Sequence, residues 1–154
     1  MRITVHSVAG KMPGWVDAGV REYSKRLPGE LKLNWRSVPL ARRGANPRQL
    51  KQREGDALLK GVHKGAVRVA LERSGRAWST QDLARRLNVW MQEGRDVALL
   101  VGGPEGLSEA CLAAAAQRWS LGPLTLPHAL VRIVLAEQIY RAWTIAIGHP
   151  YHRA

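Results

Sequence analysis

Residues 96–153 have the sequence DVALLVGGPEGLSEACLAAAAQRWSLGPLTLPHALVRIVLAEQIYRAWTIAIGHPYHR. The apolar run at 97–101 predicts a buried strand, and it leads directly into the glycine-rich turn GGPEG at 102–106. A second loop with glycine and proline, 121–127, precedes a long apolar helix predicted at 128–147. Both loops expose backbone groups close to a helix with more apolar surface than one sheet needs. This C-terminal block therefore predicts a ligand pocket beside an interface.

Predicted strands and helices alternate along the whole chain. The strands are expected at 2–8, 31–38, 67–72 and 97–101, with a short fifth strand or an extended loop within 119–126. The helices are expected at 13–28, 47–61, 79–94, 108–116 and 128–147. The segment ERSGRAW (72–78) is expected to turn out of the third strand. This alternation favours an α/β fold, an open and largely parallel sheet with helices on both faces. We expect one domain, residues 1–154.

The positive charge is large and unevenly distributed. The formal net charge is +12, and residues 21–76 carry 15 Lys and Arg against 5 Asp and Glu, a local excess of +10. Such a field attracts nucleic acid, although a basic surface kept for solubility is the alternative. The strongest basic patch combines the loop at 41–48 with the helix after it. Its predicted RNA-binding residues are Arg42, Arg43, Arg48, Lys51 and Arg53.

Several classes of protein are disfavoured by the same sequence. No apolar run is long enough for a transmembrane helix, and the N-terminus does not resemble a signal peptide. Cys111 is the only cysteine, so no intramolecular disulfide can form, which suits a cytoplasmic protein. His149 and His152 lack the partners that a zinc site needs, and no metal is expected.

Each feature of the C-terminal block also has a plainer interpretation. The turn at 102–106 is either a ligand loop or a tight connection from strand to helix. The loop at 121–126 either presents backbone groups to an adenine edge or only connects two elements. On the last helix, Glu137, Gln138, Arg141 and Thr144 form a polar stripe, and a twofold partner helix is expected to cover the surplus apolar surface. The alternative is a helix that its own domain covers completely.

Taken together, KMPGWV (11–16), LLVGGPEGLS (99–108), WSLGPLTLPHALVRIVLAEQIYRAW (119–143) and the ending HPYHR (149–153) closely resemble one family over essentially the full length. It is the ribosomal RNA large-subunit methyltransferase H family, of the SPOUT class. The resemblance implies a deep trefoil knot, S-adenosylmethionine bound in that knot, and an obligate homodimer. It further implies methylation of N3 of a pseudouridine in helix 69 of 23S ribosomal RNA, on the assembled 70S ribosome.

The resemblance also assigns residues to roles. The implied cofactor contacts are Leu71, Gly102, Leu121, Gly122, Pro123, Leu124, Thr125 and Leu126. The residues expected to place the substrate and promote the reaction are Glu137, Arg141, Tyr151, His152 and Arg153, with no single residue identified as the base. Methyl transfer from a sulfonium needs mainly positioning, so the lack of a nucleophile motif is compatible with this chemistry. The alternatives are a non-catalytic ribosome-binding or RNA-binding protein and a SPOUT methyltransferase for another RNA base.

Overall fold

The computed structural model describes residues 1–41, 44 and 46–153, with the side chain of Arg153 outside that description. Its five strands are β1 (Arg2–Val8), β2 (Lys32–Val38), β3 (Val67–Ala77), β4 (Val97–Val101) and β5 (Gln117–Ser120). Its helices are α1 (Gly14–Ser24), α2 (Pro47–Lys60), α3 (Thr80–Glu93), α4 (Glu109–Ala114) and α5 (His128–Ile147), followed by a 3-10 turn, Pro150–Arg153. Strands and helices alternate as predicted.

The five strands form one wholly parallel sheet in the order β2-β1-β4-β3-β5. All five residues of the central strand β4 are buried, which explains why VALLV is apolar at every position. Helices α1, α3 and α5 cover one face of the sheet, while α2 and α4 cover the other. The predicted α/β fold with a parallel sheet is confirmed.

The helices begin where the sequence contains capping residues. Asn46 accepts a hydrogen bond from the amide of Gln49 at the start of α2, and Ser108 accepts one from the amide of Cys111 at the start of α4. Ser79 and Asp82 form a reciprocal capping box at the start of α3. Each cap satisfies an amide that the helix itself leaves unpaired, so the helix starts are encoded locally.

Strand β3 is longer than the sequence predicts. Residues 72–78 were expected to turn away, but the strand continues to Ala77 and pairs with β5 on both sides of a register shift between Leu71 and Arg76. A Cβ at Gly75 would lie 2.7 Å from the carbonyl carbon of Arg118, so glycine permits close contact between strands here rather than a turn. Correspondingly, β5 begins at Gln117, and 121–127 is a loop.

Helix α5 is covered by its own domain more fully than expected. It packs against both α1 and α3, and Leu135, Ala136, Ile139 and Ala142 are buried. Thr144, predicted to lie on the polar stripe, is also fully buried, and its hydroxyl donates to the carbonyl of Arg141. Two helices replace most of the partner contact that the apolar pattern suggested. The homodimer stays a prediction.

Helix α2, which carries part of the basic patch, is packed closely against the start of α4. A Cβ at Gly55 would lie 2.2 Å from the Ser108 hydroxyl oxygen and 3.2 Å from Cys111 Sγ. We expect Gly55→Ala to lower the free energy of unfolding by about 1–3 kcal/mol, since overpacking must displace one helix. Urea denaturation measures this. Gly14→Ala, with no atom within 4 Å of the added Cβ, is the control, and equal stability of both variants would contradict the close packing.

Candidate active site

A cleft of about 130 Å³ opens at the carboxyl ends of β3 and β5. Such an edge is where open parallel sheets usually bind ligands. Of the predicted cofactor contacts, Leu71, Leu121, Gly122, Leu124, Thr125 and Leu126 line it. The lining also includes Glu72, Arg73, Trp119, Ser120 and Val131, which were not predicted. Two strand ends, the 121–127 loop and the first turn of α5 thus meet at one cavity.

The 121–127 loop offers backbone groups to this cleft. Among the described residues, the amides of Leu124, Thr125 and Leu126 donate no hydrogen bond within the protein. Gly122 has φ +115°, a backbone conformation that favours glycine, and its amide donates to the Ser120 hydroxyl at 3.1 Å. Apolar walls with unpaired amides at the rim suit a flat heteroaromatic ring such as adenine.

Gly102 lies next to the cleft and shapes the turn after β4. A Cβ at Gly102 would lie 2.5 Å from the carbonyl carbon of Gly106, so the turn requires glycine there. The Gly102 carbonyl also accepts a hydrogen bond from Nε2 of His128, at 2.7 Å. His128 opens α5, so this bond ties the end of the 121–127 loop to the end of β4. Pro123, in contrast, is an exposed residue of the loop outside the cleft lining.

Trp119 supports the cleft from behind. Its ring stacks on Trp78, with ring centroids 5.0 Å apart and planes 11° from parallel. The guanidinium of Arg86 lies 4.0 Å above Trp78 and completes the stack. Trp119 is 3% exposed, so its position is set by this packing. Its place two residues before the LGP loop was the only sequence signal for its role.

The second group of predicted residues comes together at the other end of α5. Glu137 accepts hydrogen bonds from Nε of Arg141 at 2.8 Å and from the Tyr151 hydroxyl at 3.3 Å. The Tyr151 ring packs edge-on against Tyr140, with centroids 4.6 Å apart, and the Arg141 guanidinium lies 4.9 Å from its centre. The tail is therefore docked against α5. We call Glu137, Tyr140, Arg141 and Tyr151 the tail cluster.

The surroundings of Tyr151 keep its phenol protonated. Burial raises the pKa of Tyr151, and the negative charge of Glu137 raises it further. A raised phenol pKa means that the hydroxyl is neutral at physiological pH. Tyr151 is therefore a hydrogen-bond donor in this arrangement and not a general base.

The remaining tail residues surround this cluster. His149 accepts a hydrogen bond from the amide of Tyr151 through Nδ1, at 3.2 Å, and His152 is half-buried. The side chain of Arg153 lies outside the described residues. Sequence reasoning missed Arg26 of α1, whose guanidinium lies 5.6 Å from the Tyr140 ring and 6.0 Å from the Tyr151 ring. No motif marks Arg26, because only the packing of α1 on α5 brings it there.

The cleft and the tail cluster lie apart along α5. Val131 lines the cleft, Glu137 lies six residues further along the helix and Arg141 ten. A rise of 1.5 Å per residue places them about 9 Å and 15 Å from Val131 along the axis. Within one protomer, the predicted cofactor contacts and the predicted substrate-placing residues therefore do not form a single site.

The basic patch borders a wider groove. Arg48 and Lys51 line a space of about 600 Å³ together with Ser108 and Glu109, between the starts of α2 and α4. Arg53 is exposed on α2. Arg42 and Arg43 lie outside the described residues.

Two further findings apply only to the part of the chain that the structure describes. No helix there is long and apolar enough to cross a membrane. No three His, Cys, Asp or Glu side chains group there in a way that could hold a metal ion.

The geometry agrees with comparisons of the whole chain. A family model described as "Predicted SPOUT methyltransferase" matches residues 1–152. The chain belongs to the SPOUT methyltransferase family. It is 55% identical to the "Ribosomal RNA large subunit methyltransferase H" of Hahella chejuensis over 155 residues, 99% of each chain. It is also 55% identical to the protein of that name from Alkalilimnicola ehrlichii, over 100% of both.

Solved structures of SPOUT-like methylases share the fold at low identity. A probable methylase family protein from Haemophilus influenzae has a TM-score of 0.55 and 10% identity, covering 97% of this chain and 69% of that one. A putative methylase family protein from Neisseria gonorrhoeae has a TM-score of 0.50 and 16% identity, covering 90% and 80%. These likenesses support the α/β architecture alone. They do not test the assignment of individual residues.

The Gly102 turn provides a test of the cleft. Gly102→Ala should displace residues 103–107 and strain the bond from His128, because the new Cβ would overlap the Gly106 backbone. We expect a stability loss of about 1–3 kcal/mol and an affinity for S-adenosylmethionine at least about tenfold weaker. Thermal unfolding and calorimetric titration measure these. Gly29→Ala, where no atom lies within 4 Å, should change neither quantity; unaltered affinity in Gly102→Ala would show that the turn does not shape the cleft.

Proposed function

We propose that this protein transfers a methyl group from S-adenosylmethionine to N3 of a pseudouridine in helix 69 of 23S ribosomal RNA, on the assembled 70S ribosome. It acts in the cytoplasm as a homodimer. The observation that carries the proposal is the match at 52–55% identity, over at least 98% of each chain, to proteins named ribosomal RNA large subunit methyltransferase H. The cleft and the basic surface support it independently.

The residues of the cleft fit the cofactor. Leu71, Trp119 and Val131 provide apolar walls for the adenine, and the unpaired amides at 124–126 lie where its polar edge needs partners. Glu72 and Arg73 place opposite charges at the cleft for the ammonium and carboxylate of the amino-acid end. When bound, the cofactor supplies an electrophilic methyl carbon on a sulfonium. The trefoil knot implied by the family would bring these segments together by threading, and it stays a prediction.

The tail cluster suits substrate placement better than proton abstraction. Methyl transfer to N3 requires the loss of the N3 proton, which a nearby cation assists by stabilising the negative charge that develops on the ring. Arg141 is held in place by Glu137 and stacks over Tyr151, so its charge is preorganised. Tyr151, as a neutral phenol, can donate to a carbonyl oxygen of the base. His152 and Arg153 follow directly and complete the substrate-placing group.

The homodimer would join the two halves of the site. One protomer holds its tail cluster about 9–15 Å from its own cleft along α5. A twofold axis crossing α5 can bring the tail of one protomer to the cleft of its partner. Trp15, Leu124, Leu130 and Ile147 are large apolar side chains that stay exposed, the last two on α5 itself. Their burial in a dimer would remove apolar surface from water where this arrangement needs an interface.

The basic patch would hold the RNA backbone. Arg48, Lys51 and Arg53, with Arg42 and Arg43 in the loop before α2, are expected to contact phosphates. Contacts of this kind position a nucleic acid without selecting its sequence. The target nucleotide would then be selected at the cleft and the tail cluster.

Removing residues 149–154 tests the role of the tail. We expect the truncated protein to lose methylation of ribosomes that lack the modification, while the basic patch preserves most of its RNA affinity. Incorporation of a labelled methyl group measures the first property, and a filter-binding titration measures the second. Tyr151→Phe keeps the ring contact with Tyr140 and removes only the hydroxyl, so it should lower kcat at unchanged stability. Turnover by the truncated protein would refute the tail's role.

The same assay separates the proposed enzyme from the alternatives. Mapping the methylated nucleotide to a position other than N3 of a helix 69 pseudouridine would identify a methyltransferase for another RNA base. Calorimetry showing no binding of S-adenosylmethionine to the wild-type protein would instead favour a non-catalytic RNA-binding protein.

The basic patch makes a separate prediction. Replacing Arg48 and Lys51 together by glutamine should weaken ribosome binding and make its logarithm less dependent on the logarithm of salt concentration, by about one unit of slope per lost phosphate contact. Binding titrations at several salt concentrations measure the slope. Replacing the exposed Arg85 and Arg95 removes the same charge elsewhere and is the control. Equal slopes for the two double variants would mean that only net charge matters.

A further inference from the structure

A separate polar groove lies at the opposite end of the sheet from the cleft, where β1 and β4 begin and α2 ends. Its volume is about 350 Å³. Its polar lining consists of Arg2, Thr4, His6, Asn34, Arg36, His63 and Asp96. These residues belong neither to the predicted cofactor contacts nor to the tail cluster or the basic patch. The groove has no part in the function proposed above.

The floor of this groove contains a buried histidine with an unsatisfied ring nitrogen. His6 is 3% exposed, and among the described residues its Nδ1 has no hydrogen-bond partner. It alternates with apolar neighbours on β1, Val5 and Val8 being buried, so an aliphatic side chain would fill the same space. A buried polar atom without a partner is costly, and in a folded protein it calls for a ligand or another explanation.

Arg36 lies directly beside His6. The two residues are paired in register across β1 and β2, at a strand spacing of about 4.8 Å. The Arg36 guanidinium packs against Gly61, where a Cβ would lie 2.7 Å from its Cζ, and NH1 donates to the Gly61 carbonyl at 3.3 Å. Only glycine at the end of α2 permits this position. The contact holds the guanidinium in place and leaves its other N–H groups available.

The charge of the groove favours an anion. Arg2 and Arg36 form no ion pair with another described residue. Asp96 is the one acidic side chain in the described lining, and its Oδ1 already accepts a hydrogen bond from the amide of Arg2 at 2.9 Å. Two guanidinium groups and two imidazoles therefore face a single carboxylate.

We propose that this groove binds a phosphate group, with Arg36 and His6 as its main ligands. Arginine and imidazole N–H groups are strong donors to phosphate oxygens, and Thr4 and Asn34 add neutral donors from the adjacent row of the sheet. The phosphate can be a phosphodiester of an RNA backbone or a free or terminal phosphate. Either would neutralise the arginines and supply a partner for the buried imidazole.

The titration of His6 reports on occupancy. In the empty groove its pKa is lowered, first by burial and then by the positive charge of Arg36. The charged or titratable groups that line the groove around it are Arg2, Arg36, His63 and Asp96. A bound phosphate stabilises the imidazolium and must therefore raise the pKa of His6. By linkage, phosphate affinity rises as pH falls through the pKa of His6.

Nuclear magnetic resonance of the imidazole groups tests the proposal on the full-length protein without cofactor, with inorganic phosphate as the probe. The chain has five histidines, and the spectrum of His6→Val assigns the resonance of His6. We expect phosphate to shift that resonance and to raise its pKa. Arg36→Gln should weaken phosphate binding by about tenfold or more, whereas Arg85→Gln, on the exposed side of α3, should not. A His6 resonance that ignores phosphate would overturn the proposal.

Two further measurements complete the design. If Arg36→Gln unfolds, His6→Val provides the test, because it keeps an apolar strand residue and should lose the pH dependence of binding at an unchanged Tm. Retention of that pH dependence in His6→Val would also overturn the proposal. A short oligoribonucleotide without a terminal phosphate distinguishes the two sources: competition with inorganic phosphate identifies a phosphodiester site, and failure to compete identifies a site for a free or terminal phosphate.

Discussion

The hydrogen bond from His128 to the carbonyl of Gly102 is the contact on which the candidate site depends. It joins the first residue of α5 to the end of the central strand β4. After β5, at the edge of the sheet, the chain must therefore return across the carboxyl end of β3 before α5 can begin. That return path is the 121–127 loop, and the cleft is the space between the loop and Leu71. Without a glycine at 102 the turn could not present its carbonyl in this position.

The sequence predicted features that are set locally and missed those that depend on tertiary contact. The buried strand VALLV, the caps at Ser79 and Ser108, and the span of α5 all follow from short patterns. The extension of β3 was missed because Gly75 has the composition of a turn, yet it serves to admit the backbone of β5. A glycine selected for close approach and one selected for a turn cannot be distinguished by sequence.

The candidate site divides in the same way. Cleft residues were found because a recognisable motif carries them, whereas Val131, Glu72 and Arg86 enter through the packing of elements distant in sequence. The tail illustrates the opposite error, an alternative that was too cautious. Instead of a free basic tail, HPYHR folds back so that Tyr151 packs on Tyr140 and reaches Glu137. Those contacts span 11 and 14 residues, so no helical periodicity announces them.

The tail cluster also shows why a single protomer is a poor unit for the proposed chemistry. Arg141 and Glu137 satisfy each other, and the remaining polar capacity of the cluster is directed away from the cleft, which lies at the other end of α5. A rigid helix cannot shorten that separation. Either the substrate spans both regions, or a second copy supplies the missing half. An RNA base is only several ångströms across, much less than the distance from Val131 to Arg141, so the second arrangement is the one that the dimensions of α5 favour.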